Sequence, residues 1–316
     1  MQKDRFMNVL PRGIRAAVIR ERIQYSRLQE LRLRAKRPLI LIYEGKERIV
    51  RNERDEPYVV TKEEVREMLE YVSNYSLYAY EQEMKQGFIT IEGGHRVGMT
   101  GQAIIENGKV KNLKFISSIN LRMSHEVLGC ADLIFPYIIY KGKLCHTLII
   151  SPPGCGKTTL LRDLVRQISD GNEWIRGMAV GVVDERSEIG GCYMGIPQNQ
   201  LGIRTDVLDG CPKAEGMGML IRSMSPEVLA VDEIGTAEDV HAIEHAMHCG
   251  CKMIATAHAD SMEELRKKPI FDRMVAQRQF DRYVVLKNRE QVGQVGSLFD
   301  SRGSLLYRGE AVEACC

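Results

Sequence analysis

The 316-residue sequence predicts an α/β protein, and three observations lead to that prediction. From about residue 130 onward, apolar strand-like runs alternate with helix-like segments, a pattern typical of a parallel sheet covered by helices. The earlier part of the chain instead mixes short alternating runs with one amphipathic helix. The length and a hydrophobic content of 44% suffice for two domains with cores of their own. We therefore predict a smaller mixed α/β domain over residues 1–128 and a larger domain over residues 129–316.

The first domain is predicted to contain short strands, one helix and a hairpin. Residues 30–34 alternate leucine with arginine, which indicates a half-buried strand, and residues 38–43 suggest a second strand. Thr61 and Glu64 have the spacing of a capping box and precede the apolar periodicity of an amphipathic helix. A Gly-Gly pair divides residues 88–100 into two strand-like runs, which predicts a hairpin.

Five apolar runs predict the strands of the larger domain. They are residues 147–151, 179–184, 228–232, 252–257 and 282–286. Continuous apolar runs of this length indicate strands that are buried on both faces. A helix over residues 236–249 and a hairpin near residues 300–303 complete the prediction.

Residues 147–159 read TLIISPPGCGKTT and form the most informative stretch of the sequence. An apolar strand that breaks into a glycine-containing turn before a helix is typical of a phosphate-binding loop, because glycines let backbone N–H groups face phosphate oxygens. Ser151 stands where the usual motif begins with glycine, and an ordinary strand-to-helix turn is the alternative interpretation. In the functional interpretation Lys157 contacts the β- and γ-phosphates, and Thr158 holds Mg²⁺. The loop residues predicted to bind the nucleotide are Pro153, Gly154, Cys155, Gly156, Lys157, Thr158 and Thr159.

Residues 227–235, EVLAVDEIG, have the form of a Walker B strand, an apolar run that ends in an acidic pair. We expect Asp232 to lie behind Mg²⁺ and Glu233 to orient and polarise the attacking water. Glu185 ends another predicted strand and competes for the role of water activator. We favour Glu233 because it directly follows Asp232. Either glutamate can instead act only by supporting its neighbours.

His258 and three arginines are further candidates for the nucleotide site. His258 follows the strand predicted at residues 252–257, where we expect a residue that senses the γ-phosphate; a structural histidine is the alternative. Arg186, Arg204 and Arg222 are candidates for contacting the nucleotide or a neighbour's γ-phosphate. Surface ion pairs explain a typical arginine at least as often. Among the three, we assign Arg204 to the nucleotide-binding set.

Residues 241–251, HAIEHAMHCGC, suggest a metal site because three histidines share one helical face and two cysteines follow. An amphipathic helix that stops at a glycine explains the same spacing better. A helix that leads directly into a strand does not easily bring four zinc ligands together. We therefore expect Mg²⁺ as the physiological metal. The chain's nine cysteines lack framework spacing, which favours reduced thiols over disulfides.

Basic residues are concentrated at the start of the chain. Residues 1–60 contain 15 lysines and arginines against 8 aspartates and glutamates, a net charge of +7, whereas the whole chain carries +2. Much of this excess lies in residues 12–37, where a solvated helix face is one interpretation and peripheral contact with anionic lipid or an acidic partner is the other. We find no aromatic-interleaved stripe that supports nucleic-acid binding. We see neither a signal peptide nor an apolar run long enough to span a bilayer, so we expect a cytosolic protein.

Four segments resemble the RecA-like secretion ATPases of type II and type IV systems. They are SPPGCGKTT at 151–159, VVDERSEIG at 182–190, LAVDEIG at 229–235 and ATAHADS at 255–261. The second resembles the acidic box of those ATPases, although it is short, and the last resembles their histidine box. Within that group the chain is most similar to the stage III sporulation AA family, through ELRLR at 30–34, GGHRVGMTG at 93–101 and LGIRTDVLDGCPK at 201–213.

The resemblance implies a RecA-like P-loop NTPase core that binds ATP and Mg²⁺, with nucleotide held between the N-terminal domain and the core of a hexameric ring. It also implies an ATP hydrolase in the mother cell of a spore-former. There it would be recruited by membrane proteins of a secretion-like complex that spans the two membranes around the forespore. Two alternatives remain open. One is an ATP-gated scaffold with negligible turnover, and the other is a nucleic-acid motor on the same core.

Overall fold

The computed structural model describes residues 5–76, 80, 83–84, 87–287 and 293–309. The chain separates into two compact units. The first comprises Met1–His125 together with Gly191–Gln198, and the second comprises Glu126–Gly190 together with Asn199–Cys316. No helix among the described residues is both long and apolar enough to cross a membrane.

The first unit contains a six-stranded antiparallel sheet. Its strands are β1 (Leu28–Arg34), β2 (Ile40–Tyr43), β3 (Lys46–Ile49), β4 (Phe88–Ile91), β5 (His95–Glu106) and β6 (Lys109–Arg122). They lie in the order β3-β2-β1-β6-β5-β4. The predicted hairpin is confirmed as β4 and β5. A longer hairpin of β5 and β6, which turns at Asn107 and Gly108 with positive φ angles, was not predicted.

Among the described residues, helices α1 (Arg12–Arg20) and α2 (Lys62–Val72) pack on this sheet. The capping box is confirmed, because the Thr61 side chain accepts a hydrogen bond from the Glu64 N–H and the Glu64 carboxylate accepts one from the Thr61 N–H. The apolar faces of both helices join one core with the buried leucines of β1. In the basic stretch of residues 12–37 only Arg12–Arg20 is α-helical. The stretch ends in β1 and a turn, so it does not form one continuous basic helix.

The second unit is built on an eight-stranded sheet in the order β11-β10-β12-β13-β9-β14-β15-β16. Its strands are β9 (Thr147–Ser151), β10 (Val180–Asp184), β11 (Thr205–Asp209), β12 (Val228–Val231), β13 (Lys252–His258), β14 (Arg282–Leu286), β15 (Val295–Asp300) and β16 (Leu305–Arg308). The strands from β11 to β14 are parallel, and β15 and β16 are antiparallel additions. A two-stranded ribbon of β7 (Ile139–Tyr140) and β8 (Lys143–Leu144) precedes them. All five predicted strands and the predicted C-terminal hairpin are confirmed.

Helices pack on both faces of this sheet and explain why its central strands are apolar throughout. They are α3 (Lys157–Asp170), α4 (Lys213–Met224), α5 (Ala237–His248), α6 (Met262–Lys267) and α7 (Pro269–Ala276). Helix α3 contributes its leucines to the core on one face, and the other four contribute to the core on the opposite face. This arrangement confirms the predicted α/β class with a parallel sheet.

Candidate active site

The carboxyl ends of the parallel strands bring the predicted site residues to one edge of the second unit's sheet. Strand β13 lies between β9 and β12, so the segments that follow these three strands are neighbours. Strand β10 lies on the other side of β12. In open parallel sheets, ligands bind at this edge, outside the carboxyl ends of the strands.

The phosphate-loop segment joins β9 to α3. Ser151 is the buried last residue of β9 and pairs with His258, so the position where the usual motif has glycine is ordinary strand backbone. Within the loop, positive φ occurs at Gly154 (+79°) and Gly156 (+91°), a conformation that glycine adopts without strain. Lys157 is the first residue of α3, whose N-terminus has no side-chain cap. The free N–H groups of this first turn and the helix dipole suit an anion such as phosphate.

The other predicted loop residues flank this turn. The Cys155 side chain is buried, and its carbonyl oxygen accepts a hydrogen bond from the Gly293 N–H at 2.8 Å. Its sulfur lies 3.9 Å from the Pro153 carbonyl oxygen. Thr159 lies in the first turn of α3. The loop is therefore anchored from within and from the chain that follows β14.

Lys157, Glu233 and His258 converge at the start of α3. The Lys157 side chain is only 5% exposed, and its Nζ lies 3.3 Å from Glu233 Oε1. The His258 ring nitrogens are both 3.3 Å from the same Nζ, and His258 Nε2 is 2.8 Å from Glu233 Oε1. The buried ammonium group thus has a carboxylate partner, which a charge so far from water requires.

Asp232 and Thr158 form a hydrogen-bonded pair beside that cluster. Thr158 Oγ1 donates to Asp232 Oδ2 at 2.6 Å, and the Thr256 hydroxyl donates to Asp232 Oδ1. Burial raises the pKa of Asp232, while the hydrogen bonds from both threonines and the charge of Lys157 oppose that rise. A carboxylate next to a hydroxyl fits Mg²⁺, which typically takes one or two protein oxygens and completes its shell with phosphate oxygens and water.

Glu233 has a left-handed backbone conformation, with φ at +56°. Burial by itself raises the pKa of its carboxyl, but the charges of Lys157 and His258 and their hydrogen bonds outweigh burial and lower it. The carboxylate is therefore ionised near neutral pH. Its second oxygen, Oε2, accepts a hydrogen bond from Arg186 Nη1 at 2.9 Å. Arg186 thus contacts the candidate base.

Glu185, the competing candidate, lies in the same region with a different partner. Its carboxylate pairs with Lys213, which is not part of the cluster around Lys157. An open cleft of the second unit is lined by Asp184, Glu185, Arg186, Glu188, Lys213, Asp232 and Glu233. Glu185 therefore borders the site and has a different ion-pair partner from Glu233.

Asp184 organises the segment that carries Glu185 and Arg186. Its buried carboxylate accepts backbone hydrogen bonds from Glu188, Ile189 and Gly190 at 2.7–2.9 Å. Burial raises the pKa of Asp184 to about 6, although the three N–H donors favour the charged form. This residue was not among the predicted site residues. Its position at the end of an apolar strand, before a glutamate, was the available signal.

Arg204 contacts the C-terminal end of α3 in its own chain, and its role at a nucleotide stays a prediction. Its Nη1 donates to the Ser169 carbonyl oxygen at 2.9 Å, and its backbone N–H donates to Ser169 Oγ at 2.7 Å. Ser169 is in the last turn of α3, about 20 Å from the loop at a rise of about 1.5 Å per residue. Arginine is favoured here because helix C-terminal carbonyl groups are exposed and carry partial negative charge.

The histidines of residues 241–251 lie on or at the end of α5. His245 is 3.9 Å from the Cys249 sulfur. Over the described part of the chain, no group of three or more histidine, cysteine, aspartate or glutamate side chains is placed to hold a metal ion. Arg222, the third arginine candidate, lies in the last turn of α4.

Comparison with known proteins identifies the family. A family model described as "Sporulation stage III, protein AA" matches residues 1–306. The chain belongs to this family. Stage III sporulation protein AA of Bacillus subtilis (strain 168) is 46% identical over 309 residues, which cover 97% of this chain and 98% of that protein. The predicted relationship is confirmed.

Two solved structures show the same fold at low sequence identity. The ATPase DotB of Legionella pneumophila aligns with a TM-score of 0.56 and 14% identity, covering 91% of this chain and 81% of DotB. The pilus retraction motor PilT with bound ADP aligns with a TM-score of 0.56 and 12% identity, covering 86% and 76%. At these identities the likeness is one of fold, and it confirms the predicted RecA-like secretion-ATPase fold.

Proposed function

We propose that this protein is a Mg²⁺-dependent ATP hydrolase that drives conformational change in an oligomer. One observation carries the proposal. A buried lysine at an uncapped helix N-terminus meets a glutamate that follows β12 and a histidine at the end of β13, beside a Thr158–Asp232 pair that suits Mg²⁺. These groups are separated by up to about a hundred residues in sequence, and a structural turn between a strand and a helix does not require them to meet.

Each residue has a role that follows from its position. Backbone N–H groups of the loop and Lys157 bind the β- and γ-phosphates and offset the charge that develops during in-line attack. Glu233 orients the attacking water and accepts its proton, and His258 detects the γ-phosphate through its contact with both Lys157 and Glu233. Asp232 and Thr158 would hold Mg²⁺, which would supply positive charge to offset that of the phosphates.

The cellular role follows from the family rather than from the site. We propose a hexameric ring with domains divided near residue 128, in which nucleotide binding moves one subunit against the next. The ring would energise a membrane-associated complex between mother cell and forespore, where membrane proteins recruit it. Membership of a sporulation stage III family and the fold shared with a secretion-type ATPase and a pilus motor support this role.

One observation favours a second candidate, the ATP-gated scaffold. Both carboxylate oxygens of Glu233 are engaged by cationic or potentially cationic groups: Lys157 and His258 at Oε1, and Arg186 at Oε2. A base held in this way is not free to act on water. Turnover would then be negligible until a partner withdrew one of those groups, and ATP binding itself would be the signal.

The test is phosphate release by the full-length protein with ATP, with and without Mg²⁺, and with added anionic liposomes or DNA. Mg²⁺-dependent release supports the hydrolase. Tight ATP binding by calorimetry with no release under any condition would instead favour the scaffold. Stimulation by DNA alone would point to a nucleic-acid motor.

A further inference from the structure

Thr256 is a buried polar residue that no part of the proposed chemistry has used. It lies in β13, between β9 and β12, and its side chain is fully buried. A hydroxyl in such a place costs stability unless it is hydrogen-bonded, and an alanine or valine would suit an apolar sheet core equally well. The hydrogen bonds of this hydroxyl therefore need an explanation.

Thr256 forms hydrogen bonds with three consecutive residues, Asp232, Glu233 and Ile234. Its Oγ1 accepts a hydrogen bond from the Glu233 N–H at 2.9 Å, and the same hydroxyl donates to Asp232 Oδ1. Its carbonyl oxygen accepts a hydrogen bond from the Ile234 N–H at 2.9 Å. The hydroxyl thus uses its one proton on the aspartate and a lone pair on the glutamate backbone.

The hydroxyl stabilises an unfavourable backbone conformation at Glu233. A non-glycine residue at a φ of +56° is strained, because its Cβ crowds the backbone. Here that conformation sends the carboxylate of Glu233 to Lys157 and His258, while the carboxylate of Asp232 turns to Thr158. The Glu233 N–H belongs to the backbone between these two side chains, and it donates its hydrogen bond to Thr256.

We propose that Thr256 is a positioning residue that aims Asp232 at Mg²⁺ and Glu233 at the attacking water through one hydroxyl group. The proposal rests on the proposed hydrolase function. It assigns no contact between Thr256 and the nucleotide. The role belongs to the hydroxyl and not to the methyl group, so serine can replace threonine whereas valine and alanine cannot.

Two matched pairs of proteins test the hydroxyl alone. Threonine and Thr256→Val have nearly the same shape, and Thr256→Ser differs from Thr256→Ala only by the hydroxyl. In each pair, loss of the hydroxyl is expected to lower kcat about 10- to 100-fold, as for a hydrogen bond or two to a charged group. The KM for ATP should change less than about 3-fold, because Lys157 and the loop still bind the phosphates. Should the valine protein fail to fold, the serine and alanine pair still gives the comparison.

A second measurement does not depend on turnover. Binding of a fluorescent ATP analogue is titrated with Mg²⁺, and the proteins without the hydroxyl should need about 10-fold more Mg²⁺ for the same affinity, since Asp232 is no longer held. In EDTA, all four proteins should bind the analogue alike. Absence of turnover in the wild type would remove the hydrolase proposal, and the Mg²⁺ titration would still decide the role of Thr256. Equal kcat and equal Mg²⁺ dependence within both pairs, or a serine protein as defective as the alanine protein, would overturn the assignment.

Discussion

Replacing Glu233 with glutamine removes one negative charge from the centre of the Lys157 cluster and keeps the size of the side chain. Glutamine cannot accept a proton from water, so ATP turnover should fall by about 10² to 10⁴, the range for a positioned general base. The hydrogen bonds from Thr158 and Thr256 to Asp232 do not involve the replaced side chain. Mg²⁺-ATP should therefore still bind.

The structure predicts that binding becomes tighter. In the wild type, Lys157 Nζ is 3.3 Å from Glu233 Oε1, and its side chain is 5% exposed. At an effective dielectric constant of about 20, the gross attraction at this distance is about 5 kcal/mol, and ATP has to compete with it. Changes in the solvation of the two groups offset much of this attraction. A net gain of about 1.4 kcal/mol still corresponds to about tenfold higher affinity.

The assay pairs single-turnover hydrolysis with calorimetric ATP binding. Glu185→Gln is the matched control, because this residue lines the same cleft but pairs with Lys213 outside the cluster. We expect it to keep turnover within about tenfold of the wild type, as for a group that does not act as the base. An active Glu233→Gln protein together with an inactive Glu185→Gln protein would refute our choice of base.

Four further outcomes can be measured. Lys157→Ala should abolish tight ATP binding while circular dichroism shows an intact fold; equal affinity by calorimetry would remove the phosphate-loop assignment. Arg204→Ala should lower the free energy of unfolding by about 1 kcal/mol, as expected for a cation at a helix C-terminus, and leave ATP affinity unchanged; a loss of affinity without a change in assembly would instead support the predicted nucleotide role. Burial raises the pKa of Asp184 to about 6, so its contribution to stability is present below about pH 4 and is lost as the pH rises through about 6. Urea unfolding should accordingly show the wild type losing about 2 kcal/mol relative to Asp184→Asn between pH 4 and pH 7, and a flat difference would contradict this cause. The net charge of +7 in residues 1–60 should give weak flotation with anionic liposomes that fades with salt, at about 1 kcal/mol or less per basic residue, whereas salt-resistant binding would indicate an inserted apolar surface.

The parallel strands could be predicted because burial on both faces requires a continuous run of apolar residues. Residues 228–231 are buried on both faces, and the corresponding run contains no polar residue. The capping box at Thr61 was equally visible, since its two side chains serve the backbone of the same turn. Features that depend on residues close together in the sequence could thus be predicted.

Arg204 shows why contacts between distant parts of the sequence could not be predicted. Its sequence neighbours resemble a family motif, but its partner is the end of a helix about 35 residues earlier in the chain. An arginine suits a helix C-terminus and a phosphate for the same electrostatic reason, so residue type could not separate the two. The contact of Arg204 with the end of α3 becomes visible only in the three-dimensional structure.

Strand order explains why Thr256 was missed while His258 was found. Residues two apart on a strand point to the same face, so the side chains at 256 and 258 both reach the acidic segment that follows β12. That relation becomes visible only once β13 is known to lie between β12 and the strand of the phosphate loop. A histidine at a strand end attracts notice by its chemistry, whereas a threonine inside an apolar strand looks like a residue chosen for its β-propensity. The role proposed for Thr256 depends on the left-handed backbone conformation of Glu233. No local pattern in the sequence predicts that conformation.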